Sequence, residues 1–421
     1  MTGGASAAEP AGLQPGGEEL RLRVSTLEIF FDLVFAFTLT QLTSVLATRL
    51  SWLAILQVLL VFGLLWWMYG AYAWLTNARP PVHTAERLLL LVGMAGFLVV
   101  GLAIPRGFAA YGYILGLGYL LVVIVHAVLY YRVNANILRV APFNIASGLL
   151  VTIAGLLPHS GGTDGVAAYL LWVLALVVQL GSPLIVRPAS FFELRPAHFT
   201  ERHSALLIVA IGESVAAIGI GAAGPASSGP VSWRLLVGAV LGLVVAAALW
   251  WIVFGSGDDD RAAWVLAAAA SRRRTQLALG AFFYGNIPLL LGLIAMAAGI
   301  LRAVLEAAGH PMAGPRAGQA AVLAAGAALF LAGDAVIRRV LHTGPARLRI
   351  AAAVLALATT VVGATLGLEA QLVLVAAVLI APVIAERDPD GGQARGGPSP
   401  GPPPGPVTGG PGEAASADAA G

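Results

Sequence analysis

The sequence predicts an all-α, polytopic membrane protein with about twelve membrane-spanning helices. Hydrophobic residues make up 58% of the 421-residue chain, and charged residues make up only 11%. Residues 27–385 contain no long stretch with the composition of a soluble domain. A helix that crosses about 30 Å of bilayer needs roughly 20 mostly apolar residues. The apolar runs reach that length without the two-residue alternation of strands, so a β-barrel is excluded.

Twelve apolar runs follow one another along the chain. The fifth run is interrupted by Pro142 and Asn144, and only a tight joint from Gly367 to Glu369 separates the last two. The runs lie near residues 27–48, 52–75, 86–104, 111–131, 140–157, 166–186, 203–223, 232–254, 275–300, 318–341, 349–367 and 369–385.

The placement of arginine predicts how the helices are oriented. Cytoplasmic loops of membrane proteins carry an excess of basic residues. With twelve spans, nineteen of the 24 basic residues, all of them arginine, fall on one side, which makes both termini cytoplasmic. These arginines are spread over loops and tails, so the lipid bilayer is an expected partner and nucleic acid is not. The five on the other side are Arg49, Arg106, Arg234, Arg302 and Arg316.

The chain is predicted to consist of two six-helix units between two tails. Residues 1–20 and the Pro/Gly-rich residues 387–421 are expected to be disordered. We expect the first unit, with a cytoplasmic linker, over residues 21–202 and the second over residues 203–386. Because six is an even number, both units have the same orientation, as in transporters built from parallel repeats with a site near the midplane.

Matching residues in the two halves suggest this repeat. Glu28 opens span one and Glu201 opens span seven, and a polar residue follows twelve positions later in each, Thr40 and Glu213. A Trp pair also lies in the cytoplasmic half of spans two and eight, at residues 66–67 and 250–251. The alternative interpretation is that these Trp pairs are ordinary interfacial anchors.

Glu213 is the most informative residue, because no other charge lies within ten residues of it on either side. Twelve residues, about 18 Å of helix, separate it from Glu201, which places it near the bilayer centre. Burying an isolated charge there costs several kcal/mol, so such acids face a bundle interior or a water-filled cavity. We interpret Glu213, with the adjacent Ser214, as a proton, cation or substrate site. The alternative is a structural Glu hydrogen-bonded to a neighbouring helix.

Span one carries a second acidic pair. Glu28 and Asp32 lie one turn apart on one stripe of the helix, and two such carboxylates repel unless a cation, a proton or an arginine lies between them. A proton or cation relay would use this arrangement. Alternatively, both acids lie at the cytoplasmic boundary, capped by the first turn and paired with Arg21 or Arg23.

Two other ionisable positions favour structural roles. Asp334 in span ten has Arg338 one turn further on, a spacing that suits an intrahelical ion pair. His126 in span four is kept as a site candidate, but a lone histidine is more often a satisfied core residue than a ligand. The remaining histidines lack the spacing of a metal site.

No enzyme motif is present in the sequence. There is no Gly-x-Ser-x-Gly elbow, no Gly-rich phosphate loop that ends in lysine and no His-Glu-x-x-His pair. The chain also contains no cysteine. We therefore predict neither an enzyme nor a bound cofactor or metal.

Two segments resemble the signatures of the bacterial low temperature requirement protein A (LtrA) family. They are residues 24–42 (VSTLEIFFDLVFAFTLTQL) and residues 198–214 (HFTERHSALLIVAIGES). The family has Glu-x-Phe-Phe-Asp-Leu-Val-Phe in its first helix and Glu-Arg…Gly-Glu-Ser in its seventh. The resemblance covers roughly residues 20–386 and implies a multi-pass protein of the bacterial inner membrane. The motif residues here are Glu28, Phe30, Phe31, Asp32, Gln41, His198, Glu201, Arg202, Gly212, Glu213 and Ser214.

The chain departs from the family pattern at one position. In the segment from Tyr284 to Pro288, Asn286 stands where the family tends to show a histidine. Asn286 stays a candidate for substrate or cation binding, but we do not expect it to carry a proton.

Three functions are compatible with these features. The first is a secondary transporter, coupled to protons or cations, of an unidentified small solute; Glu213 and the Gly/Pro-interrupted spans 140–157 and 280–299 favour it. The second is a cation channel, because the sequence around Asp32 resembles potassium channels with two six-helix repeats, although Phe31 replaces their serine. The third is a non-transporting membrane protein that supports growth in the cold. The sequence does not predict an oligomeric state.

Overall fold

The structure is a computed structural model that describes residues 24–109, 111–131, 137–157, 162–185, 194–222, 232–255, 257–310 and 312–386. Regular structure in these residues is helical, and twelve helices are long and apolar enough to cross a membrane. The predicted all-α membrane fold is thereby confirmed. The tails predicted at residues 1–20 and 387–421 lie outside the described residues.

The helices follow the predicted apolar runs. Span nine consists of α10, a π-helical segment at Leu279–Gly285 and α11, and the short helix α9 precedes it. The helices are α1 Thr26–Thr48, α2 Trp52–Ala78, α3 Thr84–Ala103, α4 Gly112–Tyr131, α5 Ile137–Leu156, α6 Gly162–Ile185, α7 Pro196–Ala222, α8 Trp233–Phe254, α9 Asp258–Ala268, α10 Ser271–Ala278, α11 Asn286–Ala307, α12 Arg316–Leu341, α13 Arg347–Leu366 and α14 Leu368–Ala385.

Local sequence explains where several helices begin or end. Ser25 caps α1 through a capping box, in which its hydroxyl accepts from the Glu28 N–H and the Glu28 carboxylate accepts from the Ser25 N–H. Gly367 alone separates α13 from α14, and its φ of 107° lies in a region that only glycine enters readily. The tight joint expected at this position is therefore a single glycine.

Two expectations about helix boundaries are wrong. The fifth span is a continuous helix with Pro142 inside it. Pro142 lies near the start of α5, where the missing N–H frees only one carbonyl of the first turn, so the helix is not interrupted. Arg302 lies within α11 and is 2% exposed, although the arginine distribution placed it in an outer loop.

Three helices from different parts of the chain form the centre of the bundle. α1, α7 and α11 each pack against the other two. Span nine is the most enclosed, since 83% of its most apolar stretch is buried, against 33–61% for the other spans. A polar group on the inward faces of these three helices is therefore shielded from lipid.

The two halves use the same order of helix contacts. Span one packs on span three, three on four and four on five; span seven packs on nine, nine on ten and ten on eleven. The Trp pairs differ, because Trp66 is buried and donates to the Phe283 carbonyl at 3.0 Å, whereas Trp250 and Trp251 are each 43% exposed. The internal repeat stays a prediction. The matching sequence of helix–helix contacts favours it, and the Trp pairs do not.

Small residues let α11 and α12 approach closely. A Cβ added to Gly292 would lie 2.5 Å from the Phe330 backbone N and 2.7 Å from the Gly326 carbonyl O. Backbone atoms cannot yield as a flexible side chain can, so this contact requires glycine.

We expect Gly292→Ala to lower the thermal unfolding midpoint of the purified protein, because overpacking reduces the free energy of unfolding by about 1–3 kcal/mol. Gly219→Ala is the matched control, because Gly219 is also within a helix but its added Cβ would meet nothing within 4 Å. An unchanged midpoint for Gly292→Ala would show that α11 and α12 do not pack this closely.

Candidate functional site

A buried charge cluster centred on Arg202 joins α1 to α7. The Arg202 Nη1 atom lies 3.1 Å from Glu28 Oε1, and its Nη2 atom lies 3.4 Å from Asp32 Oδ1. All three side chains are at most 1% exposed. Arg202 also donates a hydrogen bond to the Thr76 hydroxyl on α2. An arginine thus lies between the two carboxylates of span one, which is one of the three arrangements that their spacing allowed.

Aromatic residues enclose the guanidinium of Arg202. Its Cζ lies 5.4 Å from the ring centre of Phe31 and 5.8 Å from that of Tyr69. The Tyr69 hydroxyl also donates to Asp32 Oδ1 at 3.0 Å. The rings exclude water and contribute cation–π attraction, so the ion pairs lie in a dry environment.

A histidine completes the cluster on the side of Glu28. His198 Nε2 lies 3.2 Å from Glu28 Oε2, and Asn77 Nδ2 lies 3.2 Å from His198 Nδ1. The Asn77 amide is oriented by the Arg195 backbone, whose N–H donates to Asn77 Oδ1 and whose carbonyl accepts from Nδ2. Because Asn77 Nδ2 then donates to Nδ1, the His198 Nε2–H is left to donate to Glu28.

The charges within the cluster do not balance. It contains two carboxylates, Glu28 and Asp32, but one guanidinium, and Asp32 Oδ2 has no hydrogen-bond partner among the described residues. Glu201 is not a member, since it is exposed and, among the described residues, accepts a hydrogen bond from the Val24 N–H at 3.2 Å and from no other group. Arg21 and Arg23, proposed as partners of Glu28, lie outside the described residues.

Glu213 lies deep in the bundle and has a different environment. It is nine residues, about 14 Å, from the C-terminal end of α7 at Ala222. Its side chain is 9% exposed, and its Oε2 atom accepts a hydrogen bond of 2.6 Å from the Thr40 hydroxyl on α1. No ion pair of Glu213 is found in the described part of the chain. Thr40 and Glu213 are also the two positions that the predicted repeat matches to one another.

The other candidates in the bundle interior differ in their surroundings. Asn286 is fully buried, and both atoms of its amide lack a partner among the described residues. Ser214 is also fully buried, and its hydroxyl likewise has no described partner. Gln41 is half-buried and stands apart from the hydrogen bonds described above. Asn286 and Ser214 are thus polar groups of the interior whose hydrogen bonds are unsatisfied among the described residues.

The backbone before Asn286 is unusual. Leu279–Gly285 is π-helical, a form that occurs mostly as short bulges and is frequent at functional sites. Within it, the Phe283 carbonyl accepts from Trp66 Nε1, and the Phe283 ring lies against Gly70. The widened turn is thus held against α2, directly before the residue that carries the unsatisfied amide.

His126 lies among aromatic residues. Its ring centre is 5.1 Å from that of Tyr72 and 5.6 Å from that of Tyr130. It is buried in the packing between α2 and α4. These aromatic contacts are typical of a core residue, but the buried Nε2 atom has no hydrogen-bond partner among the described residues, so His126 stays a site candidate.

Asp334 belongs to a second ion network away from Glu213. Arg338 Nε lies 3.1 Å from Asp334 Oδ2, which is the intrahelical pair expected from the sequence. Arg349 Nε lies 2.8 Å from the same oxygen, and Arg338 Nη2 lies 2.8 Å from Asp258. Asp258 also contacts Arg261 at 3.1 Å. The network ties α9, α12 and α13 together, which is a structural role.

Sequence reasoning missed three members of the Arg202 cluster, namely Tyr69, Thr76 and Asn77. The available signal was their spacing, because positions 69, 76 and 77 share one face of a helix that is otherwise almost wholly apolar. Polar residues on one face of a membrane helix indicate a polar partner helix.

The fold and this site define a multi-pass helical membrane protein with a buried polar centre among its first, second, seventh and ninth spans. Residues 23–384 match the family model described as "Bacterial low temperature requirement A protein (LtrA)". The chain therefore belongs to the LtrA family. It is 28% identical over 210 residues to an uncharacterized protein of Rhizobium meliloti (strain 1021), a match that covers 47% of this chain and 51% of the relative. The chain thus aligns with about half the length of that curated relative.

We expect Arg202→Gln to destabilise the protein strongly, by about 3–5 kcal/mol, because it leaves two buried carboxylates without their cation. Arg234→Gln is the control, since Arg234 is 59% exposed and pairs at 3.5 Å with Glu369 near the surface. Such exposed pairs contribute little. Thermal unfolding in detergent compares the two, and equal midpoints would show that the Arg202 cluster does not hold α1 to α7.

Proposed function

We propose that this protein is a secondary transporter of a small solute, in which Glu213 carries the coupling proton or cation. The observation that supports this most is the contrast among the acids deep in the bundle. Glu28, Asp32 and Asp334 each contact an arginine, whereas no basic partner of Glu213 is found among the described residues. A buried carboxylate without a counter-charge favours binding a proton or cation.

The position of Glu213 suits such a role. Transporters with two parallel repeats bind substrate near the midplane, between the halves. The hydrogen bond from Thr40 to Glu213 joins α1 to α7, the first helices of the two predicted units. The Glu213 site thus lies between α1 and α7. A movement of these helices against each other would change the side of the membrane from which the site is reached.

Thr40 can serve Glu213 in both of its states. A hydroxyl donates to an ionised carboxylate, and it can accept from a protonated one. The contact can therefore persist with its direction reversed when Glu213 gains a proton. This reversibility lets the proton enter and leave without the loss of a buried hydrogen bond.

The Arg202 cluster supports a carrier rather than an open channel. Along α7 it lies eleven residues, about 16 Å, from Glu213, on the predicted cytoplasmic side. Its ion pairs and aromatic rings pack α1, α2 and α7 together. A carrier needs such a closed side in each state, whereas a channel that is lined by Asp32 needs an open path past it.

The remaining assignments belong to the same proposal. Membership of the LtrA family favours the bacterial inner membrane, and the arginine distribution favours both termini in the cytoplasm. The partners would be the lipid bilayer and the carried solute or ion, with no enzymatic activity. The cation channel and the non-transporting protein stay alternative predictions, which no contact described above favours.

A flux measurement tests the role of Glu213. Proteoliposomes that contain wild-type protein should move protons in response to a pH jump or a cation gradient, and Glu213→Gln should reduce this flux to that of protein-free liposomes. Glu201→Gln is the matched control on the same helix, because Glu201 is exposed and its contact within the described part of the chain is to the Val24 backbone. Flux above that of protein-free liposomes that is equal in wild type and Glu213→Gln would rule out Glu213 as the coupling site.

An infrared measurement tests the same residue without a known solute. The pH-induced difference spectrum of the reconstituted protein should contain a carboxylic acid C=O band that is absent in Glu213→Gln and present in Glu201→Gln. A spectrum that Glu213→Gln leaves unchanged would mean that Glu213 does not exchange a proton.

A further inference from the structure

Arg302 is a buried cation in the outer part of α11, apart from the Arg202 cluster. It is 2% exposed, and its Nη1 atom donates to the Ala313 carbonyl at 3.3 Å. Its Nε and Nη2 atoms are also buried and have no hydrogen-bond partner among the described residues. One edge of the guanidinium is therefore unsatisfied.

No carboxylate of the described residues neutralises Arg302. Glu306 is one turn further along α11, but it pairs with Arg316 at 3.8 Å. The gaps in the described chain beside this region, residues 223–231 and Pro311, contain no acidic residue. Because a guanidinium stays charged in proteins, a positive charge remains here for a ligand to balance.

This situation differs from that of the other buried arginines. Arg202, Arg338 and Arg349 are each at most 3% exposed, and each contacts a carboxylate within 3.5 Å. The protein thus pairs its other buried, described arginines internally. Arg302 is the exception among them.

We propose that Arg302 binds a carboxylate group of the transported solute. The Nε–H and Nη2–H groups point in the same direction along one edge of the planar guanidinium, and this fork matches the two oxygens of a carboxylate. The Nη1 atom already donates to the Ala313 carbonyl. The edge formed by Nε and Nη2 is therefore the one that would bind both oxygens of the carboxylate. The inference rests on the proposed function in one respect, that the bound anion is also the carried solute.

The depth of Arg302 relates it to Glu213. A Cβ added to Gly221 of α7 would lie 2.9 Å from Val304 and 3.3 Å from Leu301, so Arg302 lies near the depth of Gly221. Gly221 is eight residues, about 12 Å, outward from Glu213 along α7. The two sites are thus close enough to be occupied in one transport step. One carboxylate at Arg302 and one proton at Glu213 together carry no net charge across the membrane.

The edge is shielded in this structure, so access requires movement nearby. Ala313 lies in the connection between α11 and α12, and it is the described partner of the guanidinium. Displacement of this connection would expose Nε and Nη2 to the outer side. The solute is thus expected to reach Arg302 from the outer side of the membrane.

Thermal unfolding of the purified full-length protein tests this site. Sodium acetate, lactate and succinate are each compared with sodium chloride at equal ionic strength. At least one carboxylate should raise the unfolding midpoint of the wild type in a saturable manner, because ligands that bind the folded state stabilise it. Arg302→Gln should lose this rise. Arg302→Lys keeps the charge without the fork and should lose most of it, which covers the case that Arg302→Gln does not fold.

Arg316→Gln is the matched control, because Arg316 is on the same side but is 68% exposed. It should keep the rise. Equal rises in wild type and in both Arg302 variants, or no rise with any of the three carboxylates, would overturn the proposal. Stabilisation by vesicles that contain phosphatidylglycerol, without a response to soluble carboxylates, would assign the edge to a lipid phosphate and also overturn it.

The Glu213→Gln variant separates this inference from the proposed function. It should keep the carboxylate-induced rise, because Arg302 is unchanged, while it loses proton flux. A retained rise with flux equal to wild type would contradict the coupling role of Glu213 and leave the carboxylate site in place. If both proposals hold, carboxylates do not raise the unfolding midpoint of Arg302→Gln, and the proton flux of Glu213→Gln falls to that of protein-free liposomes.

Discussion

The interaction on which the structure most depends is the placement of Arg202 between Glu28 and Asp32. An ion removed from water loses several kcal/mol of solvation, so a charge inside a bilayer bundle must find its partner inside the protein. Arg202 meets this constraint by drawing α1 and α7 together, although 170 to 174 residues separate the partners in sequence. Tyr69 and Thr76 add α2 to the same junction. The meeting of the two halves is thus fixed by electrostatics as much as by packing.

Pairing divides the buried charges of this bundle into two kinds. Asp334 and its arginines form a network of ion pairs within the protein that joins three helices. Glu213 and Arg302 have no described partner of opposite charge, and both lie on helices of the central trio. A protein that only had to fold would replace such groups with apolar residues, because isolated buried charges oppose folding. The presence of Glu213 on α7 and of Arg302 on α11, two of the three central helices, is the reason to assign both residues to binding.

The sequence predicted the helices well because the bilayer imposes a length and a composition on each span, and Gly367 marks a boundary that its backbone requires. It also identified Glu213 as a buried acid from the absence of neighbouring charges. It did not predict that Arg202 is the partner of Glu28, because that contact depends on how distant helices pack. Arg302 was assigned to a loop, since an apolar count cannot tell a helix end inside the protein from one in water. The π-helical turn before Asn286 has no simple sequence signature.

The contact between Thr40 and Glu213 has a consequence for stoichiometry. These positions are matched in the predicted repeat, and in the structure their side chains touch at 2.6 Å. Two glutamates at that distance would compete for a single shared proton. With threonine in the first half, the junction carries one ionisable group instead of two. In the proposed transporter, this asymmetry sets one proton or monovalent cation per cycle.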